Sequence, residues 1–204
     1  MSNVGIKDTQ RVSLKPKPGN KEWDWTGMLE PLKHNKGVIF PYTPTISMGQ
    51  HTNYGSYDPV HTNYQPNYWI NTPNPTISVT TTFANQTQAD AKYNAASIHF
   101  FKSCMKGHFG ENDSNPGLPP PILMFSGYGG LHAKSVPVLV SSFQYTMQES
   151  DDYITVVLNG EEHSMPITFM GTLELVVQQN PQKVKNEWSH SEYRNGNLLN
   201  GGFI

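Results

Sequence analysis

The stretch that decides the fold is TISVTTTF at residues 76–83, in which apolar and hydroxyl-bearing side chains alternate. Because successive side chains of a β-strand point to opposite faces, this pattern predicts a half-buried strand. One face is apolar apart from a single threonine, and the other is entirely hydroxyl-bearing, as expected for contact with solvent or with a wet channel. The apolar face comprises Ile77, Val79 and Phe83, and the polar face comprises Thr76, Ser78, Thr80 and Thr82.

A helix is predicted directly after this strand, at about residues 87–106. Thr87 can cap its start, Asp90 lies three residues further on, and Gly107 follows its end. The apolar face is wide, which indicates a helix in a crevice between the sheet and a second surface. One apolar line comprises Ala91, Ala95, Ile98, Phe101 and Met105, and the other comprises Tyr93, Ala96, Phe100 and Cys104.

Two long strand–loop–strand hairpins are predicted, at about residues 38–83 and 135–178. The first contains a long hairpin tip or loop at 50–75 that is rich in Asn, Tyr, Gly and Pro, and the second ends in a long strand with Gly171 as a bend or bulge. The predicted fold class is therefore mainly β (α+β), a two-sheet β-sandwich or barrel with one flanking helix. The apolar hairpin positions are Val38, Phe40, Tyr42, Ile46, Ile77, Val79, Phe83, Val138, Val140, Phe143, Ile167, Phe169, Leu173 and Leu175.

Charge divides the chain unevenly. Residues 1–36 carry seven Lys or Arg and four acids, whereas residues 37–182 carry four Lys and ten acids. We predict an N-terminal arm at 1–36, a β domain at 37–179, and a C-terminal arm at 180–204 that packs on the domain or on a neighbour. The N-terminal arm is either a solvated terminus or a segment that docks on an acidic neighbour.

Composition excludes several classes of protein. There is no run of about 18 apolar residues to span a membrane, and the first thirty residues hold no apolar core of a signal peptide. The single cysteine, Cys104, excludes an internal disulfide and is expected to be a packed thiol. A formal net charge of -2 is not that of a general nucleic-acid binder.

No motif predicts catalysis, a metal or a cofactor. His51 and His61 occupy a repeated HTNY at 51–54 and 61–64, but no third metal ligand has a motif spacing. The acidic pairs at 151–152 and 161–162 consist of adjacent residues, which point to opposite sides of a strand. We therefore expect no cofactor and no enzymatic activity.

Eight segments, in their order and spacing, resemble a known family, the baseplate–tail-tube junction (tube initiator) proteins of contractile-tailed bacteriophages. The resemblance covers roughly residues 37–204 and includes nothing in residues 1–36. The segments are 39–46 (IFPYTPTI), 61–64 (HTNY) with Asn67 and Tyr68, 83–87 (FANQT), 89–106 around SIHFFKS, 119–121 (PPP) with 125–129 (FSGYG), 136–138 (VPV), 194–196 (RNG) and 201–204 (GGFI).

The resemblance implies a structural virion protein without catalysis. Six copies would form a ring on the baseplate hub and start the adjacent tail tube, with two hairpins per copy building a β-barrel through which DNA passes without specific binding. The protein would reside in the virion, at the baseplate–tube junction, and in the host cytoplasm during assembly, with no membrane partner. The fourteen apolar hairpin positions above would lie at subunit interfaces. The channel-facing residues would be Thr76, Ser78, Thr80, Thr82, Thr168, Thr172 and Glu174.

Two alternatives stay open besides an enzyme, which ranks last. The major tail tube protein shares the same fold but stacks on its own kind, whereas a junction protein presents two different faces. The distinct N-terminal arm and the aromatic C-terminal arm favour the junction protein. A β-sandwich module that binds glycans is the third reading, because Tyr and Asn side chains at 50–70 could stack on sugars.

Overall fold

The computed structural model describes residues 11–18, 23–111, 113, 115–128, 132–149, 152–158 and 160–204. The strands are β1 (Ser13–Pro16), β2 (Val38–Ile39), β3 (Thr45–Gly49), β4 (Asn53–Ser56), β5 (Asn67–Asn71), β6 (Thr76–Ala84), β7 (Leu123–Gly127), β8 (Ala133–Met147), β9 (Tyr153–Leu158), β10 (Glu161–Pro166) and β11 (Thr168–Val177). The helices are α1 (Gln88–Ser103), α2 (Pro181–Glu187) and α3 (His190–Arg194), with 3-10 turns at Gly27–Leu32 and Asn197–Gly201.

Seven strands form one antiparallel sheet in the order β2-β1-β7-β8-β11-β6-β3. The outermost strands, β2 and β3, are joined only by residues 40–44. Six spacings of about 4.8 Å would span about 29 Å if the sheet were flat, whereas six residue steps reach at most about 22 Å. The sheet is therefore strongly curled, but in the described part of the chain β2 and β3 do not pair and no closed barrel is present.

The mainly β architecture and both long hairpins are confirmed, with corrections. β3 pairs with β6 and β8 pairs with β11, and each hairpin carries a smaller one, β4–β5 or β9–β10, between its strands. Val38–Ile39, however, leaves the first hairpin and pairs with β1 at the opposite edge. The described chain has one seven-stranded sheet and two separate two-stranded hairpins rather than the two packed sheets of a sandwich.

The helix α1 begins with the predicted cap. The Thr87 hydroxyl accepts from the Asp90 N–H at 3.2 Å, and the Asp90 carboxylate accepts from the Thr87 N–H at 3.0 Å. Its last helical residue is Ser103, earlier than the predicted end at 106. Of the predicted packing line, Ala91 and Phe101 are buried, and Ala95, Ile98 and Met105 are partly buried against the core.

A second surface does cover α1, as its wide apolar face predicts. The rings of Trp23 and Trp25 lie 4.8 and 6.1 Å from the ring of Phe100, and the Gly27–Leu32 turn packs beside them. The strand β9, in which Val156 is buried, also contacts the helix. These contacts place α1 between the sheet and a partial outer layer.

Part of the predicted N-terminal arm belongs to the main sheet. Ser13–Pro16 forms a strand inside the main sheet, between β2 and β7, and Leu14 and Leu32 are fully buried in the core. Residues 1–10 and 19–22 of the predicted arm lie outside the described residues. The C-terminal arm packs on the domain, where Phe203 is buried and Lys134 donates to the Asn200 side chain at 2.9 Å.

Gly171 has a role different from the predicted bend. The ladder with β6 is unbroken there, with Gly171 opposite Thr81. A Cβ atom at Gly171 would lie 3.0 Å from a ring carbon of Phe83, so the glycine makes room for that ring. The irregularity of the strand lies further on, between Glu174 and Leu175 where β11 faces β8.

Two buried amides fasten the start of α1 to the sheet. The Asn94 side chain donates to the Ala84 carbonyl at 3.1 Å and to the Asn85 side-chain oxygen at 2.8 Å. The Asn85 amide donates in turn to the Pro166 carbonyl at 2.6 Å. The network joins α1, the end of β6 and the β10–β11 connection.

Replacing Asn94 by Ala is expected to lower the free energy of unfolding by about 1–3 kcal/mol, because it leaves buried acceptors without a donor. Chemical denaturation of the purified protein measures this loss. The exposed amide side chain of Gln86 provides the matched control, and Gln86→Ala should change stability by less than about 0.5 kcal/mol. Equal stabilities of the two variants would refute this role for the network.

Candidate assembly surface

The polar face of the sheet brings the predicted channel-facing residues together. In the register of β6 and β11, Ser78 lies opposite Glu174 and Thr80 lies opposite Thr172. The Ser78 hydroxyl donates to the Glu174 carboxylate at 2.7 Å, and the two threonine hydroxyls are 3.4 Å apart. The remaining members, Thr76, Thr82 and Thr168, alternate onto the same face, and its function as a channel lining stays a prediction.

The same face continues onto both flanking strands, which the list of channel-facing residues left out. The register places Ser47 beside Ser78, and Gln144 beside Thr172. The signal was present in the sequence, because polar residues at 142, 144 and 146 alternate with Phe143 and Tyr145. The added members are Thr45, Ser47, Ser142, Gln144 and Thr146, all exposed.

The side chains predicted for subunit interfaces lie mostly in the core of the single chain. Their apolar face is the one that α1 covers, so an interface built by the hairpins would use backbone edges rather than these side chains. Ten are buried: Val38, Phe40, Ile77, Val79, Phe83, Val138, Val140, Phe169, Leu173 and Leu175. Ile46 and Phe143 are partly buried, and Tyr42 and Ile167 are exposed.

Two backbone edges of the sheet are open. The strand β7 pairs with β8 only as far as Leu123 opposite Val138, so within the described chain residues 141–147 of β8 have no strand on that edge. The strand β3 likewise pairs only with β6 among the described residues. Neither stretch contains a proline or a charged residue, the usual devices that keep an edge strand from pairing with another chain.

The third edge, β2, is closed by a side chain. The Tyr93 hydroxyl accepts from the Ile39 N–H and donates to the Ile39 carbonyl, both at 2.8 Å. Burial raises the pKa of Tyr93, so the group stays a hydroxyl that can do both. The outermost strand on this side is therefore satisfied within the chain.

The β4–β5 hairpin projects beyond the sheet with its aromatic side chains exposed. Tyr54 and Trp69 are cross-strand partners, 64% and 63% exposed, and every residue of β5 is exposed. Tyr68 lies across Gly55, where a Cβ atom would come within 2.5 Å of the ring. The sequence of this segment, in which Asn, Gly and Pro are frequent, predicts a hairpin tip or a loop, and the structure has a hairpin.

The titratable side chains of the described residues include one close pair, His108 and Asp113, with Nδ1 3.0 Å from the carboxylate. Within the described residues no group of three His, Cys, Asp or Glu could hold a metal ion, and no helix is long and apolar enough to span a membrane. The Asn115 N–H and the His108 ring hold the pKa of Asp113 below its usual range. Glu161 and Glu162 face opposite sides of β10, and Asp151 of the other acidic pair lies outside the described residues.

Comparisons with known proteins give little. No family model matches the chain, and no curated protein matches it. One solved structure with a detectable likeness is the tail of an empty GTA particle, computed with helical refinement and C6 symmetry. The match covers 86% of this chain and 95% of that chain at 10% identity, with a TM-score of 0.33. A score this low carries no argument about fold or function.

Cys104 is buried beside Phe100, and this burial raises the pKa of its thiol. We expect the folded protein to react with Ellman's reagent at pH 8 at least about 10-fold more slowly than the unfolded chain. The folded pKa is the higher one, so the contribution of this group to stability is complete below the unfolded value of about 8.5 and is lost as the pH rises above it. Rapid labelling of the native thiol would contradict this assignment.

Proposed function

We propose that this chain is a structural virion protein whose copies join edge to edge into a ring, the junction between a phage baseplate hub and its tail tube. The observation that carries the proposal is the pair of unprotected edges, β3 and residues 141–147 of β8, on either side of a hydroxyl-rich sheet face. The sequence resemblance to tube initiator proteins independently supports the same assignment. No enzymatic activity, cofactor or membrane partner is proposed.

The strand directions suit cyclic closure. The four strands β3, β6, β11 and β8 are antiparallel in sequence, so β3 and β8 run in opposite directions. Copies related by rotation would therefore place β3 of one copy antiparallel to β8 of the next. Pairing of this kind would continue the antiparallel ladder around the ring and leave no free edge.

The size of such a ring fits a channel for DNA. Six copies with four strands each, about 24 strands spaced by about 4.8 Å and tilted by about 40°, would form a barrel about 48 Å across between backbones. Even with side chains pointing inward, this bore is wider than a DNA duplex.

The chemistry of the polar face fits passage without binding. Glu174 is the one charged residue among the face residues named above, and none of them is Lys or Arg. A surface of hydroxyls with negative charge offers no cation to hold a phosphate backbone. DNA is therefore expected to pass through rather than adhere, while the hub and the first tube ring contact the two ends of the ring.

Opposed charges at the two edges test the ring contact. Ser47 and Gln144 are exposed, and the proposed pairing brings Ser47 of one copy near Gln144 of the next. The double variant Ser47→Lys with Gln144→Lys should raise the concentration needed for half-assembly at least about 10-fold, because like charges across a strand pair repel. Ser47→Lys with Gln144→Glu should restore assembly, as read by mass photometry and negative-stain electron microscopy.

Thr155→Lys with Ser164→Lys is the matched control, since these exposed residues face each other on β9–β10, which belongs to neither edge. The control should assemble as the unmodified protein does. Equal assembly by the two Ser47/Gln144 designs, or a strict monomer at every concentration, would refute the edge-to-edge ring. Long tubes instead of single rings would assign the chain as the major tail tube protein.

A further inference from the structure

We propose that the β4–β5 hairpin of each copy docks into a groove on the neighbouring copy, next to the start of β7 and α2. This inference rests on the proposed ring and names a second contact within it. The groove is lined by Lys17, Ile122, Met124, Pro137, Gln178 and Lys183, and encloses about 330 Å³.

The aromatic side chains of the hairpin are largely exposed. Tyr54 and Trp69 share one face and are about two-thirds exposed, and Tyr64 in the connecting loop is 89% exposed. A two-stranded hairpin is marginally stable by itself in water. Tyr and Trp are also the residues that contribute most at protein interfaces. Both points indicate that another surface covers the hairpin after assembly.

The direction of β3 indicates which surface of the neighbouring copy the hairpin reaches. Paired antiparallel with the free half of a neighbouring β8, β3 runs toward the Val138 end of that strand. There the edge is already occupied by β7, which begins at Leu123. The incoming strand must leave the ladder at this point, and β3 does end at Gly49. The hairpin, which starts at Asn53, is thereby carried to the beginning of the neighbour's β7.

The groove at that position suits an aromatic segment that carries no Lys or Arg. Met124 and Pro137 lie opposite each other in register and, with Ile122, give it an apolar floor. Lys183 is held at the rim over the Phe203 ring, 5.3 Å from its centroid. Residues 37–91 contain no Lys or Arg to repel Lys17 and Lys183, and aromatic faces attract such cations. A second copy of this chain is thus the occupant that geometry and charge both favour.

Cross-linking between two singly substituted chains tests the contact. Tyr64→Cys places a thiol on the hairpin and Ile122→Cys places one in the groove, both at exposed positions, while the native Cys104 is buried. After co-assembly, a short bifunctional maleimide should yield a covalent dimer of the two variants. The yield should exceed that of Tyr64→Cys mixed with Thr155→Cys at least about 10-fold, and it should vanish in the Ser47→Lys/Gln144→Lys background.

A second measurement uses Trp69→Ser, which removes an exposed ring without touching the core. Ring formation should require about 10-fold more protein, while the unfolding of the single chain stays unchanged. Two results together would overturn the hairpin contact and leave the ring intact. They are normal ring formation by Trp69→Ser, and a cross-link between Tyr64→Cys and Ile122→Cys that is no stronger than the control. Absence of any ring in the unmodified protein would overturn the ring and this contact together.

Discussion

Both halves of the main sheet depend on β8, the longest strand. A strand has two edges, and β8 shares one of them with β11 over its second half and the other with β7 over its first half. The stagger leaves one stretch of the second edge unpaired. It also places an extra residue, Ser141, at the crossover, where its hydroxyl donates to the Glu174 carbonyl at 2.9 Å. The open edge is therefore a direct result of how the two halves are joined, not of a missing strand.

The sequence predicted those strands and helices whose signals lie within a few neighbouring residues. Alternation fixed the strand at 76–83, and Thr87 with Asp90 fixed the start of α1, because both signals act over a few residues. The strand at Ser13–Pro16 was missed since its partners, Val38–Ile39 and β7, lie far away in sequence and its own four residues show no clear pattern. Pairing between strands so far apart in the sequence produces no pattern in the residues of β1 itself.

For the candidate assembly surface, too, some features were predicted from the sequence and others were not. The polar face was predicted from alternation, since a strand that is half buried shows both faces in its sequence. The wide apolar face of the helix indicated that it lies on the sheet, but Ile77 and Val79 look the same whether that helix or another copy packs on them, so their burial within the single chain was not predicted. Open edges were also invisible, since being an edge is a property of the whole sheet. Gly171 shows a further limit, as its role is set by the ring of Phe83 on the partner strand.

Closure of β2 by Tyr93 has a consequence for the order of events. The hydroxyl reaches Ile39 only when α1 has docked on the sheet, because Tyr93 belongs to that helix. Before docking, the main sheet has three open edges among the described residues, and mispairing through β2 can lead to aggregates. After docking, the open edges of the main sheet in the described part of the chain are those of β3 and of the second half of β8, which run in complementary directions. Ordered assembly therefore depends on completed folding. In a folded chain the polar groups of Ile39 are bonded to Tyr93, whereas in a chain whose helix has not docked they are free to pair with another strand.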